Sequence, residues 1–246
     1  MKPTDLDAPH VAAPAPMVAG INLQNEGALH AALKQWCAQP GDLLEARVDG
    51  AIIDIVRGDP AAGGVLIEVQ TRQLGAIGAK LRRLVAQHRV TLVYPIALEK
   101  WVATTAPDGK LLRRRKSPKR GRLLDLFDEL VRIADLATRP NFALEVLLIR
   151  EEEARCDDGR GSWRRKGISI EERRLLDVVE RVTFRSAEDY RCFLPPDLPQ
   201  PFSNRDLAAR LDLSIHTARR MSYALGKMGL IRRAGKRGRE ALFEII

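Results

Sequence analysis

Asp49-Gly50 stands between two apolar-rich runs, 43–48 and 51–57, and no other feature restricts the fold of this chain as tightly. A two-residue Asp-Gly connection takes a primed turn, because that backbone twist matches the right-handed twist of the strands it joins. The spacing therefore predicts a hairpin of fixed register, with Glu45 across from Asp54. A third strand is expected over 64–70, and a fourth, buried on both faces, over 91–96. Helices flank them. One spans 29–36 with Leu29, Leu33 and Trp36 as its apolar stripe and Pro40-Gly41 beyond its end. The other spans 74–87, with Leu74, Ile77, Leu81, Leu84 and Val85 on one side and Lys80 and Arg83 facing elsewhere. The predicted order is α-β-β-β-α-β.

Two acids interrupt these strands. Asp54 sits within Ile52-Ile53-Asp54-Ile55-Val56, and Glu68 within Val65-Leu66-Ile67-Glu68-Val69. An ionised carboxylate in a doubly buried strand is costly unless it is paired or bound to a metal. Strand parity puts Glu68 and Gln70 on one face, and meander pairing brings Asp54 beside Glu68. Two converging carboxylates suit a hard divalent cation, with magnesium–oxygen distances of about 2.1 Å. The alternative is that both acids pair with core-facing arginine or lysine and do no chemistry.

With an acid at the first helix (Glu26), Asp54 on the second strand and Glu68-Val69-Gln70 on the third, residues 22–97 resemble the PD-(D/E)XK nuclease superfamily. The element order matches as well. The resemblance implies a Mg²⁺- or Mn²⁺-dependent endonuclease. Asp54, Glu68 and the Val69 carbonyl would hold the metal, Gln70 would orient the attacking water, and Glu26 would complete the site. Gln70 departs from the usual lysine of the acid-x-Lys pair. It resembles the Glu-x-Gln variant of some active restriction enzymes, with Arg72 or Lys80 available as the replacement cation.

The net charge of +9 is concentrated in two places. Residues 111–122 hold seven basic side chains (Arg113, Arg114, Arg115, Lys116, Lys119, Arg120 and Arg122) and no acid. Residues 201–246 hold ten basic side chains against four acidic ones. Such blocks are the footprint of a polyanion-binding protein. The first reads as a loop that clamps a substrate backbone and becomes ordered on binding.

In the second block, Ser203-Asn204-Arg205-Asp206 opens a short helix with a capping box. After a tight turn, Ser214 caps another helix that runs to about Met228 and ends at Gly229. Ala218, Met221, Leu225 and Met228 share its core side, while His216, Arg220, Tyr223 and Lys227 line the opposite one. Two apolar-bearing arms around Ala234-Gly235-Lys236-Arg237-Gly238 then read as a β-hairpin with a cationic tip, Lys236 and Arg237. Helix pair and hairpin together resemble the winged-helix family, which implies DNA contact through the second helix and the wing. Taken whole, the chain also resembles a bacterial protein family of this two-part organisation.

The remaining features set bounds. Cys37, Cys156 and Cys192 are odd in number and far apart, and the four histidines fall in separate segments, so neither a disulfide framework nor a zinc site is supported. No apolar run is long enough to span a bilayer, and the Pro/Ala-rich start lacks a signal-peptide pattern. A cytoplasmic protein without a membrane partner is expected. An amphipathic helix is expected over 123–134, a strand over 142–149, a buried helix or strand over 168–183, and a hinge in the Pro-rich stretch 194–201.

The expected fold is α/β (α+β), a restriction-endonuclease-like core followed by a C-terminal winged helix. Its parts are a disordered leader (1–20), a nuclease-like domain with its basic loop (21–150), a connecting segment (151–185) and the winged helix (186–246). The expected function is cleavage of DNA, in restriction, repair or defence against mobile DNA, with RNA the less favoured polymer. A homodimer is the assembly that cutting both strands would call for. The rival is a non-catalytic DNA-binding regulator on an inactive nuclease-like scaffold.

Overall fold

The computed structural model describes residues 27–246; the leader expected over 1–20 and Glu26 lie outside them. Helix α1 (Ala28–Cys37) is followed by strands β1 (Leu43–Val48) and β2 (Ala51–Arg57). Asp49 and Gly50 join the two strands with φ of 47° and 75°, the primed turn expected of Asp-Gly. Glu45 falls between the pairs Leu44↔Ile55 and Ala46↔Ile53, opposite Asp54 by count, but its own φ of 52° takes it out of the ladder. Next come β3 (Val65–Val69), α2 (Leu74–Val85) and β4 (Arg89–Thr105). The observed order from α1 to β4 is the α-β-β-β-α-β read from the sequence.

The mixed sheet continues with β5 (Leu111–Lys116), β6 (Phe142–Cys156) and β7 (Ser169–Phe184). Its strand order is β1-β2-β3-β4-β6-β7, with β5 paired to the far half of β4. β3, β4 and β6 are mutually parallel, and the other neighbours are antiparallel. Both faces are covered, which is why the central strands read as unbroken apolar runs. Ile55, Ile67, Val69, Val93, Leu147 and Ile149 pack against Leu29, Leu33 and Cys37 of α1. On the other face Ile53, Leu66, Leu92 and Leu144 meet α2 and α3 (Phe127–Leu130).

Several expectations are corrected. The fourth strand and the strand at 142 both run well past their apolar stretches, to 17 and 15 residues. In the extension the sheet face is covered by charge. Lys100 bonds Glu153 and lies 3.6 Å from Glu151, and both acids are buried. β6 therefore passes through position 150, and residues 151–185 supply the rest of β6 and all of β7 to the same sheet. β7 is the strand option at 168–183, but it is an edge strand whose Leu176 and Val179 are exposed, each beside a shift of register with β6.

The basic run is no unordered loop. Residues 111–116 form β5, with Trp101↔Lys116 through Thr104↔Arg113 in register. The segment after it follows the edge of β4, where Ser117 N–H donates to the Lys100 carbonyl and Gly121 N–H to that of Ala97. A β-carbon at Gly121 would stand 2.5 Å from the Ala97 carbonyl oxygen, so this approach requires glycine. The single helix expected over 123–134 is instead a 3₁₀ turn (Leu123–Leu126), the short α3 and a second 3₁₀ turn (Ala134–Thr138).

In the C-terminal block, β8 (Phe202–Ser203) leads into α4 (Asn204–Leu211) and α5 (Ile215–Lys227). The capping box of Ser203 and Asp206 and the cap from Ser214 to Thr217 N–H are both made. Strands β9 (Ile231–Arg237) and β10 (Glu240–Ile245) close a three-stranded sheet in the order β8-β10-β9. The hairpin turns at Gly238-Arg239 rather than over 234–238, because β9 continues to Arg237, paired with Glu240. In the Pro-rich stretch expected as a hinge, Leu194 and Leu198 are buried in the core shared by the large sheet and the C-terminal helices.

Candidate functional site

α1 and the β1–β2 hairpin hold the first half of the site. His30 and Lys34 are four residues apart, so they share a side of α1 next to its apolar stripe and both reach the hairpin. His30 Nε2 lies 3.4 Å from Asp54 Oδ2, and Lys34 Nζ bonds Glu45 at 2.7 Å. The same Asp54 oxygen accepts a 2.8 Å hydrogen bond from the Val69 N–H, the peptide that follows Glu68. Burial alone would raise the Asp54 carboxyl. His30 and the Val69 N–H outweigh it and hold Asp54 below the usual carboxylate range.

Glu68 is in the opposite state. It is 4% exposed, and burial first, then the charge of Asp54, push its carboxyl up to about 7. Lys80 Nζ lies 2.6 Å from Glu68 Oε1 and also donates to the Ile52 carbonyl. Oε1 is buried, and the adjacent Lys80 ammonium opposes the upward push through hydrogen bonding and charge. The two acids thus sit side by side, one firmly ionised and one reluctant, which is the separation expected when like charges share a site.

Asp54 opens onto a cleft of about 640 Å³ lined also by His30, Lys34, Glu45, Arg72 and Arg173, while Glu68 is buried and does not line it. Gln70 does not join the acids. Its side-chain N–H donates 2.6 Å to the Arg72 carbonyl, which ties it into the loop before α2. Among the described residues no group of three or more His, Cys, Asp and Glu side chains converges. Asp54 and Glu68 are the two oxygen donors that could hold a hard divalent cation, which at Glu68 would share the carboxylate with Lys80. His30 and Arg173 were missed in the sequence. The i, i+4 spacing of His30 and Lys34 was the available signal, and for Arg173 there was none, since it depends on β7 lying beside the cleft.

The basic residues divide by whether they are already occupied. Arg114 pairs with Glu152 at 2.6 Å and Lys116 with Glu99, and both lie over the Trp101 ring. Among the described residues, the side chains of Arg113, Arg115, Lys119 and Arg120 make no ion pair or hydrogen bond, so they are the uncommitted cations of the run. Arg122 is structural rather than free: its guanidinium donates to the Leu211 and Asp212 carbonyls in the α4–α5 turn.

On α5, Ala218, Met221, Leu225 and Met228 are buried as expected. His216, Tyr223 and Lys227 are exposed, with Lys227 over the Tyr223 ring. Arg220 is not on that free face: it bonds Asp128 of α3 at 2.8 Å, where Thr217 also donates. Arg219 is exposed instead and completes the stripe. On the hairpin Lys236 is exposed and has no ion-pair partner among the described residues, while Arg237 leans toward Asp206 and Glu240 at 3.5 and 3.4 Å. Among the described residues no helix is long and apolar enough to cross a membrane.

No solved structure gives a significant match to this chain. A protein of Treponema pallidum (strain Nichols), carrying the name "Uncharacterized protein", is 33% identical over 223 residues, which cover 91% of this chain and 86% of that one. The family model described as "Domain of unknown function (DUF8091)" matches residues 27–185, from the residue before α1 to the residue after β7, and the chain belongs to that family.

Proposed function

We propose that this chain is a metal-dependent DNA endonuclease in which α4, α5 and the β9–β10 hairpin act as a winged helix that seats it on its substrate. The observation that carries the reading is that Asp54 and Glu68 lie just past the Ile55↔Ile67 pair, close enough for the Asp54 charge to raise the Glu68 carboxyl, with the Lys80 ammonium 2.6 Å from Glu68. The sheet supports it: a β1-β2-β3 meander continues into parallel β4, with a helix on either face, as in the restriction-endonuclease-like fold that the motif resembles.

Asp54 and Glu68 would hold Mg²⁺ or Mn²⁺, which when bound acidifies a water and neutralises charge on the scissile phosphate. The chain's own residues do the rest. His30 orients the Asp54 carboxylate through its contact with Oδ2. Lys80 supplies from α2 the positive charge that Gln70 does not supply from β3. Arg72 and Arg173 stand on the cleft wall, where a phosphate backbone would pass.

The basic run reaches this cleft along one edge. Val69 pairs with Val93, Gly121 bonds Ala97, and Arg113 pairs with Thr104, so the run starts about 13 Å beyond the end of β3 and extends about 23 Å further. Arg122, at the end of the run nearest the cleft, donates to the Leu211 and Asp212 carbonyls and so ties the run to the α4–α5 turn.

The test is cleavage of supercoiled plasmid, single-stranded DNA and RNA with Mg²⁺ or Mn²⁺ by wild type, Asp54→Ala and Glu68→Ala. Cleavage by wild type alone is expected. Equal activity in all three would mean a contaminant. Salt-sensitive binding with no cleavage would assign the chain to DNA-binding regulators instead. Linear product at the first cut, rather than nicked circles, would identify a homodimer with two sites.

A further inference from the structure

α1 is ten residues long, about 15 Å, and the sheet face it covers extends past its C-terminal end. There, at the end of α1 remote from Asp54, a second cavity of about 280 Å³ opens over β2, β3, β4, β6 and β7. Its wall includes the apolar side chains of Val65, Ile67 and Val93. Around it stand four arginines, Arg57, Arg89, Arg181 and Arg185, against a single carboxylate, Glu145, a formal +4 against −1.

Two of the four are already spent. Arg57 bonds Asp42 and the Cys37 carbonyl, each at 2.8 Å. Arg181 lies 3.3 Å from Glu145 and stacks over the Trp36 ring at 4.7 Å. Arg89 and Arg185 are exposed, and neither side chain makes an ion pair or a hydrogen bond among the described residues. Cations gathered around a concavity repel one another, and the repulsion grows as water is excluded. A dianionic group between Arg89 and Arg185 removes that repulsion and gains charge-assisted hydrogen bonds with guanidinium geometry suited to phosphate.

The rest of the wall decides what the phosphate is attached to. Val65, half-buried, offers an apolar contact for a flat ring, while Thr91, Asn141 and the Glu145 carboxylate offer hydrogen-bonding groups for its edge. The volume lies at the small end of ligand pockets, which limits the occupant to something like a single nucleotide. We propose that this cavity binds a nucleoside monophosphate, with the phosphate held by Arg89 and Arg185 and the base laid against the half-buried Val65. The site is separate from the Asp54–Glu68 cleft and does not depend on the nuclease reading.

The test is calorimetric titration of the full chain, in buffer containing a chelator, with the ribonucleoside monophosphates, the corresponding nucleosides and inorganic phosphate. At least one nucleotide is expected to bind about 100-fold more tightly than its nucleoside and at least tenfold more tightly than phosphate. Arg89→Glu and Arg185→Glu should each weaken binding at least tenfold with melting temperatures near wild type, and Asp54→Ala should leave binding unchanged. No binding up to millimolar nucleotide, equal binding of phosphate and nucleotide, or wild-type affinity in both arginine variants would overturn the proposal. A 5′-phosphorylated oligonucleotide that competes as well as the free nucleotide would identify the ligand as a strand end, and one that fails to compete would identify it as the free nucleotide.

Discussion

Glu68 has a carboxyl raised to about 7 against an ordinary 4.5, and this has a consequence measurable without a substrate. Between those two values the folded chain binds a proton that the unfolded chain has released. Stability conferred by the protonated group is therefore complete below pH 4.5 and is lost as pH rises through 7. Glu68→Gln removes the dependence. The melting temperature of wild type minus that of Glu68→Gln should fall between pH 4.5 and 7.5, by the equivalent of on the order of 2–3 kcal/mol. A flat difference would show that Glu68 is ordinary. Under the nuclease reading, added Mg²⁺ should reduce the fall, since a cation stabilises the ionised form. Lys80 can be tested through activity: Lys80→Ala, losing a charge beside the reacting centre, should cut cleavage by roughly 100-fold. Lys80→Arg should recover part of it, whereas Gln70→Ala, whose amide is tied to the Arg72 carbonyl, should cost far less.

At the scale of elements, α5 shows how far a helical wheel reaches. The wheel separates the core side from the outer side, and the four residues assigned to the core are all buried. It does not separate Arg219 from Arg220, which lie 100° apart on the outer half. That choice is made by α3, which places Asp128 under Arg220. If α5 reads DNA, Arg219→Ala should weaken binding and reduce the slope of log affinity against log salt by about 1. Arg220→Ala should leave the slope nearly unchanged; fluorescence anisotropy over a salt series checks both. The Asp128–Arg220 pair is half-exposed, so a double-mutant cycle on stability should give only about 0.5 kcal/mol of coupling.

The same distinction explains which strands were legible. β1, β2 and their turn were readable because local chemistry determines them. The far halves of β4 and β6 were not, because Lys100, Glu151 and Glu153 satisfy one another only after the strands have paired. Likewise Asp54 and Glu68 stood out as acids in apolar runs, whereas His30 becomes visible only when α1 lies over the sheet.

Across the whole molecule, the issue is whether the C-terminal block is a separable unit or part of one cooperative structure. Phe127 of α3, Phe184 at the end of β7, and Tyr190 and Phe193 of the following 3₁₀ turn form one aromatic cluster. Phe193 lies edge-on to Phe127 at 4.9 Å and stacked on Phe184 at 5.6 Å. This cluster joins the large sheet to Phe202, Leu207, Met221 and Leu225 in a continuous core. Ending the chain at 185 would leave the Phe127 side of that core open to water, so such a fragment should fail to fold even though the family match ends there. Phe193→Ala gives a gentler test. Its cavity should cost about 3–5 kcal/mol, and the readout can be placed away from the lesion, because the three tryptophans, Trp36, Trp101 and Trp163, all lie before β7. If the core is one cooperative unit, urea unfolding followed by tryptophan fluorescence should shift to lower midpoint in Phe193→Ala, coincident with far-UV circular dichroism. A fluorescence midpoint that stays at the wild-type value while circular dichroism splits into two steps would instead establish two independent units, with the 194–201 segment acting as a linker after all.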